Sequence, residues 1–195
     1  MPHLTEKGKT MKAVLISIQP KWCDKIVTLE KTIEVRKTCP KFETPFKVYI
    51  YETKTPLRWN KAHNRIIGGQ GGFVIGEFVC RKISVFGYDE QIGYPTPMYD
   101  GDPSFCDCGE GYWITCGDLE KTCLSHDELM AYGNKKDLYG WHISNLVIYD
   151  KPKPINNFSV IRKIPVEYAY GTARQRYKLE RAPQSWCYVE ELKNG

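Results

Sequence analysis

A chain of 195 residues is long enough for one domain with a well-buried core and short for two independent ones. Its hydrophobic fraction of 42% and charged fraction of 26% exclude wholesale disorder. The net charge of +5 is unevenly spread: residues 1–82 carry 16 Lys and Arg against 7 Asp and Glu, residues 83–150 carry 3 against 12, and residues 151–195 carry 9 against 4. Basic outer segments around an acidic middle suit a phosphate-bearing partner, although a linear count does not say which charges share a face.

The apolar run Ala13 to Ile18 is far shorter than a signal-peptide core or a membrane span. No membrane association is expected, and a cytoplasmic location is. Eight cysteines in a chain of this length, without an export signal, are expected to be mostly reduced thiols.

Residues 1–11 are polar and without periodicity, a frayed arm. Val14, Ile16 and Ile18 then alternate with Leu15, Ser17 and Gln19, which predicts a half-buried strand. Pro20 fits the first turn of a helix running to about Leu29, with Trp22, Ile26 and Leu29 as its apolar stripe. The period then returns to two, Ile33 and Val35 pointing one way and Thr32, Glu34 and Arg36 the other. Strands are predicted over Lys47 to Glu52 and Phe73 to Val85. The loop between them holds Gly68, Gly69, Gly71 and Gly72 but lacks the Lys-Ser/Thr ending of a phosphate-binding loop, so it reads as a hairpin connection.

Residues 87–120 form an acidic, Gly/Pro-rich insertion. Ser125 reads as the N-cap of a short helix ending near Gly133. A strand from Tyr139 to Tyr149 is stopped by the Lys-Pro-Lys-Pro of 151–154, another runs from Ile161 to Tyr168, and Trp186 to Leu192 pairs back onto the sheet.

The stretch Ser17-Ile18-Gln19-Pro20-Lys21-Trp22, followed by Glu30-Lys31-Thr32-Ile33-Glu34-Val35-Arg36-Lys37, resembles the ASCH family of the PUA-like group. The resemblance continues through Lys47 to Glu52, Gly76-Glu77 and Tyr139-Gly140-Trp141-His142. It implies an α+β fold, a mixed and mainly antiparallel β-barrel with short helices. The barrel would occupy residues 12–150 with the insertion at 87–120, and residues 151–195 would be an extension packed on it. It also implies a cleft beside the first helix that handles RNA or a single, sometimes modified, nucleotide base, with DNA a possible substitute. Certain relatives cleave RNA or remove the acetyl group of acetylcytidine. In the latter a Lys at the position of Lys31 works with a Thr three residues on and a Glu from a later helix. Lys31 matches; Glu34 stands where the Thr would be, and Glu128 is a loose match for the acid.

The expected base-binding set is therefore Ser17, Gln19, Lys31, Glu34, Arg36 and Trp141, with Lys31, Glu34 and Glu128 as the catalytic set if the protein is an enzyme. Arg36 offers a planar fork for phosphate or a base edge, and Glu34 an acceptor for an exocyclic amine. The plainer alternative is a surface ion pair. Ser17 and Gln19 share a strand face leading into the helix start, where free backbone N–H groups gather. Trp141 and His142 point to opposite faces, so only one can line a given pocket. Trp22 reads as a core anchor. A binding module needs no more than these groups, whereas a protein-interaction module would use the acidic insertion. Cys106, Cys108, Cys116 and Cys123 raise zinc, but their spacing lacks the usual knuckle, so no metal and no cofactor are expected. Arg174, Gln175, Arg176, Tyr177 and Lys178, with Arg181, Tyr168, Tyr170 and Trp186 near in sequence, read as a solvated edge or as an extension of a nucleic-acid groove.

Overall fold

The computed structural model describes residues 12–60, 65–67, 69, 71–90, 111–165 and 172–191. In chain order these form β1 (Ala13–Ile18), α1 (Pro20–Val27), β2 (Ile33–Arg36), β3 (Phe46–Glu52), β4 (Arg58–Asn60), β5 (Arg65–Ile67), β6 (Phe73–Phe86), β7 (Tyr88–Asp89) and β8 (Gly111–Tyr112). They continue with α2 (Cys116–Thr122), α3 (His126–Gly133), β9 (Leu138–Lys153), β10 (Phe158–Pro165), β11 (Thr172–Lys178) and β12 (Trp186–Glu191). The chain divides into two compact units. The first comprises the described residues of Met1–Ile18, Pro45–Phe78 and Val147–Gly195, and the second those of Gln19–Thr44 and Val79–Leu146.

In the first unit the strand order is β11-β10-β12-β1-β3-β6-β9. β1 pairs antiparallel with β12, Ala13 opposite Val189, and parallel with β3, Ala13 opposite Lys47. The sheet is mixed, as expected, and the C-terminal segment from Trp186 does pair back onto it. Both faces of β1 are buried from Val14 to Ile18, which corrects the expectation of a half-buried strand. Leu15 joins Tyr49, Tyr51, Val74, Phe158, Leu179 and Val189 in one apolar cluster, where the rings of Tyr49 and Phe158 meet edge to face at 4.7 Å. β9 runs through Pro152 to Lys153 rather than stopping before it. In this unit β9 is an edge with β6 as its neighbour, and an edge strand tolerates a residue with no N–H to give.

The second unit holds the order β6-β9-β2, with β7 and β8 as a separate antiparallel pair. Its core gathers Ile33, Val35, Phe86, Tyr112, Ile114, Leu129 and Leu138. β2 pairs antiparallel with β9, Ile33 opposite His142, Glu34 opposite Trp141, Val35 opposite Gly140 and Arg36 opposite Tyr139. β11 ends the order in the first unit and β2 in the second, each with one strand neighbour, so the strands do not close into the expected barrel among the described residues.

Three short α-helices are described, all in the second unit, and one 3-10 turn, Ile155–Asn157, in the first. α1 opens with Pro20 at its first turn and buries Cys23 and Ile26. It ends at Val27, two residues before the expected end. Leu29 lies beyond the cap at a φ of 61° and is 62% exposed, so it is not part of the stripe. α2 begins within the stretch 87–120 read as an irregular insertion and runs two residues past it; Thr115 caps it by accepting from the Asp118 amide. α3 has the expected start and end, with a full capping box between Ser125 and Glu128.

Candidate functional site

β2 is short, yet all four of its residues are buried. On its Glu34 and Arg36 face, opposite the apolar Ile33 and Val35, this puts charges where water would normally hydrate them. Lys31, at the junction of α1 and β2, is 2% exposed, Glu34 is 5% and Arg36 is 8%. Burial thus decides against an ordinary surface ion pair.

The three charges are arranged with the carboxylate between the cations. Glu34 Oε1 lies 2.9 Å from an Arg36 guanidinium nitrogen, and Glu34 Oε2 lies 3.4 Å from Lys31 Nζ. Lys31 Nζ also donates to the Thr122 carbonyl at 2.5 Å, the last residue of α2, where helix carbonyls lack partners and a cation is welcome. The same Nζ stands 5.2 Å from the centre of the Trp22 ring, which is half-buried. Glu34 Oε2 is buried but accepts no hydrogen bond among the described residues.

Tyr132, on α3, completes the cluster. Burial, with a smaller push from Glu34, drives its phenol above the ordinary value. The Arg36 guanidinium and the Lys37 amide, which both donate to the phenol oxygen, oppose that shift. The Lys37 ammonium stands 5.0 Å from the Tyr132 ring centre. Sequence reading did not single out Tyr132; its place as the seventh residue of a helix predicted from its cap alone gave no signal.

Lys31, Glu34 and Arg36 are thus brought together. Trp141, across the strand pair from Glu34, is fully buried. Glu128 is exposed and gives its carboxylate to the Ser125 amide at 3.0 Å, the local work of a capping box. Gln19 is exposed and is the N-cap of α1, the plainer alternative; its carbonyl accepts from the Trp22 and Cys23 amides, while its side chain makes no cap bond. Ser17 belongs to the first unit, where its hydroxyl donates to the Pro183 carbonyl at 2.7 Å.

On the opposite face of β9, His142 Nε2 lies 2.8 Å from the Ser84 hydroxyl. Burial lowers the imidazole pKa below its ordinary value, Lys82 and Lys121 lower it further, and Asp118 opposes them.

Residues 174, 175, 176 and 178 on β11 are exposed, and Arg176 is paired with Glu190; Tyr168 and Tyr170 lie outside the described residues. A cavity of about 590 Å³ in the first unit is lined by Lys54, Gly71, Gly72, Phe73, Ile155 and Glu180 among others, and holds none of the expected site residues. Gly71, at φ 81°, is required there because a Cβ would stand 2.4 Å from the Thr53 carbonyl oxygen.

Cys23, Cys39, Cys80, Cys123 and Cys187 are free thiols, whereas Cys116 is disulfide-bonded, a correction to the thiol expectation at that position. Cys106 and Cys108 lie outside the described residues. Among the described residues no group of three or more His, Cys, Asp or Glu is placed to hold a metal ion, and no helix is long and apolar enough to cross a membrane.

Fold and site together define an α+β protein built mostly on a mixed sheet, with a buried Lys-Glu-Arg cluster beside its first helix. No family model matches the chain, and no curated protein does. Among solved structures it is similar to the ASCH protein from Zymomonas mobilis, at 15% identity and a TM-score of 0.47 over 92% of this chain and 88% of that one. A single-substitution mutant of the same protein gives the same identity and score over 92% and 91%. A likeness of that degree carries no argument about what this chain does.

Proposed function

We propose that the chain is an ASCH-type module that binds RNA or a nucleotide base beside α1, with Lys31, Glu34 and Arg36 as the recognising groups. The observation that carries this reading is the buried Glu34 carboxylate, held between two cations with Oε2 accepting no hydrogen bond among the described residues. A buried acceptor beside fixed donors is complementary to a base edge, which presents amine and carbonyl groups side by side. Gln19, exposed before α1, and the half-buried Trp22 supply an amide and a ring at the margin.

The reader is favoured over a hydrolase by what Lys31 and Glu128 are already doing. Lys31 Nζ donates to the Thr122 carbonyl and lies 3.4 Å from Glu34 Oε2, so it is held as an anchored member of the cluster. Glu128 is committed to its helix start.

Short single-stranded RNA and DNA, and a panel of free and modified nucleosides, are titrated against wild type and Arg36→Ala at two salt concentrations. Binding that weakens in Arg36→Ala and falls with salt for the polymers supports the reading. Absence of binding to all of them by the folded wild-type protein refutes it and leaves the protein-interaction module. Product formation from a nucleoside, lost in Lys31→Ala, would replace the reader by an enzyme.

A further inference from the structure

We infer that Ser84 and His142 form a nucleophile–base pair able to take an acyl group from an anionic ester, at a place distinct from the Lys31 cluster. The pair is set up by strand register. His142 lies opposite Ile33, so it leaves the sheet on the Ile33 face, away from Glu34 and Trp141. Ser84, on the neighbouring β6, meets it at 2.8 Å between hydroxyl and Nε2, and both side chains are half-buried. That separation and partial burial are what a serine needs to lose its proton to an imidazole while staying reachable.

The surroundings favour the neutral imidazole, whose tautomer with Nε2 unprotonated is the one that accepts. Burial comes first, and Lys82 of β6 and Lys121 of α2 add to it; Asp118 of α2 is the carboxylate that opposes them. A neutral His142 with Nε2 unprotonated accepts from Ser84, and Asp118 is the group that would steady the imidazolium once it forms. Lys82, exposed on β6, and Lys121, exposed and 3.6 Å from Asp118, leave the approach with one net positive charge. This is why the substrate class is an ester with a negative charge close to its acyl group.

The chemistry balances without any further reagent. Ser84 Oγ forms a bond to the acyl carbon while its proton passes to His142 Nε2. The ester C–O bond breaks, and the leaving oxygen takes that proton. Water, losing a proton to His142, then adds to the acyl-serine. The acyl C–O bond to Ser84 breaks, His142 gives the proton it took to Ser84 Oγ, and the acid is released with the hydroxyl and the neutral imidazole restored.

The test uses the full chain with acetylsalicylate as an anionic ester and 4-nitrophenyl acetate as a neutral one, followed by peptide mapping of the acetylated site. The expected result is acetylation at Ser84, faster relative to free serine for the anionic ester, and lost in Ser84→Ala. The rate should be constant above about pH 6.5, the ordinary imidazole value, and fall only below it, because the lowered pKa keeps His142 neutral until then. His142→Gln should reduce acetylation at Ser84 at least tenfold. Acetyl groups found on lysines alone, or neither a Ser84 adduct nor sustained ester turnover in the folded wild-type protein, would overturn the inference. Mapping the wild type decides this even if a variant fails to fold.

Discussion

Replacing Glu34 by Gln tests whether the charges beside α1 are truly desolvated. The side chains of Lys31, Glu34 and Arg36 are 2%, 7% and 10% exposed. At separations of 3.4 and 2.9 Å, each attraction is gross about 4–6 kcal/mol in a medium of effective dielectric near 20. Much of that only offsets the cost of bringing the ions out of water, so the net worth of the cluster is small. Removing its one negative charge is another matter, because Lys31 and Arg36 are then left buried and mutually repelling. A loss of about 3–5 kcal/mol is expected, a large part of the roughly 5–15 kcal/mol typical of a domain. Urea unfolding followed by far-ultraviolet circular dichroism measures it, with an unchanged slope showing that stability alone has moved. The loss should persist at high salt, since buried pairs are poorly screened. The exposed pair Lys25–Glu30, at 3.1 Å, is the control: Glu30→Gln should have a small effect that salt removes. If Glu34→Gln lies within about 1 kcal/mol of wild type, below the range for breaking a buried pair, water reaches these charges and the reasoning is wrong.

Leu29→Gly should stabilise the protein by about 1 kcal/mol, because Leu29 is exposed and held at φ 61°, where a Cβ is strained; a lowered midpoint in thermal melting would count against that strain. Gly140→Ala should destabilise by about 1–3 kcal/mol, its new Cβ standing 2.6 Å from the Phe86 ring and 2.9 Å from Ile33, and urea unfolding reads the change. In the first unit burial raises the Glu77 carboxyl pKa, but hydrogen bonds from Lys47 and Tyr149 and the charges of Lys47 and Lys153 outweigh it and leave the value lowered. A lowered folded pKa contributes stability that is present above the unfolded value of 4.5 and lost as pH falls through the folded one. Tyr149→Phe should therefore lessen the stability difference between pH 7 and pH 3, measured by urea midpoints at the two pH values.

Which parts of this protein could be read from the sequence follows from the range of the interactions involved. The passage β1–α1–β2 was legible because period two, a proline at the first helical turn and period two again are all local. So was α3, whose Ser125 and Glu128 satisfy each other three residues apart. α2 was not. With seven residues it has no stripe long enough to stand out, and its Thr115 cap lies in a stretch dominated by Gly, Asp and Cys. The open order of strands was also out of reach, because β1 lies between its partners β3 and β12, whose paired residues are 34 and at least 170 positions away in sequence.

The same distinction explains the site. Glu34 and Arg36 were identified by their spacing on one strand face, and their proximity followed from that spacing. Their burial did not, since the rule that a polar row faces water is the usual outcome for a strand with one apolar face. Nor was the state of Lys31 legible: a lysine at a helix end is commonly solvated, and the Thr122 carbonyl that holds it is 91 residues away. Ser84 and His142 are 58 residues apart and meet only through the pairing of β6 with β9. In β2 the local pattern and the observed burial disagree, and a chain keeps charged groups out of water only where other groups compensate them. That disagreement, confined to four residues of strand and the lysine before them, is the physical reason to look for a ligand there rather than along the exposed cations of β11.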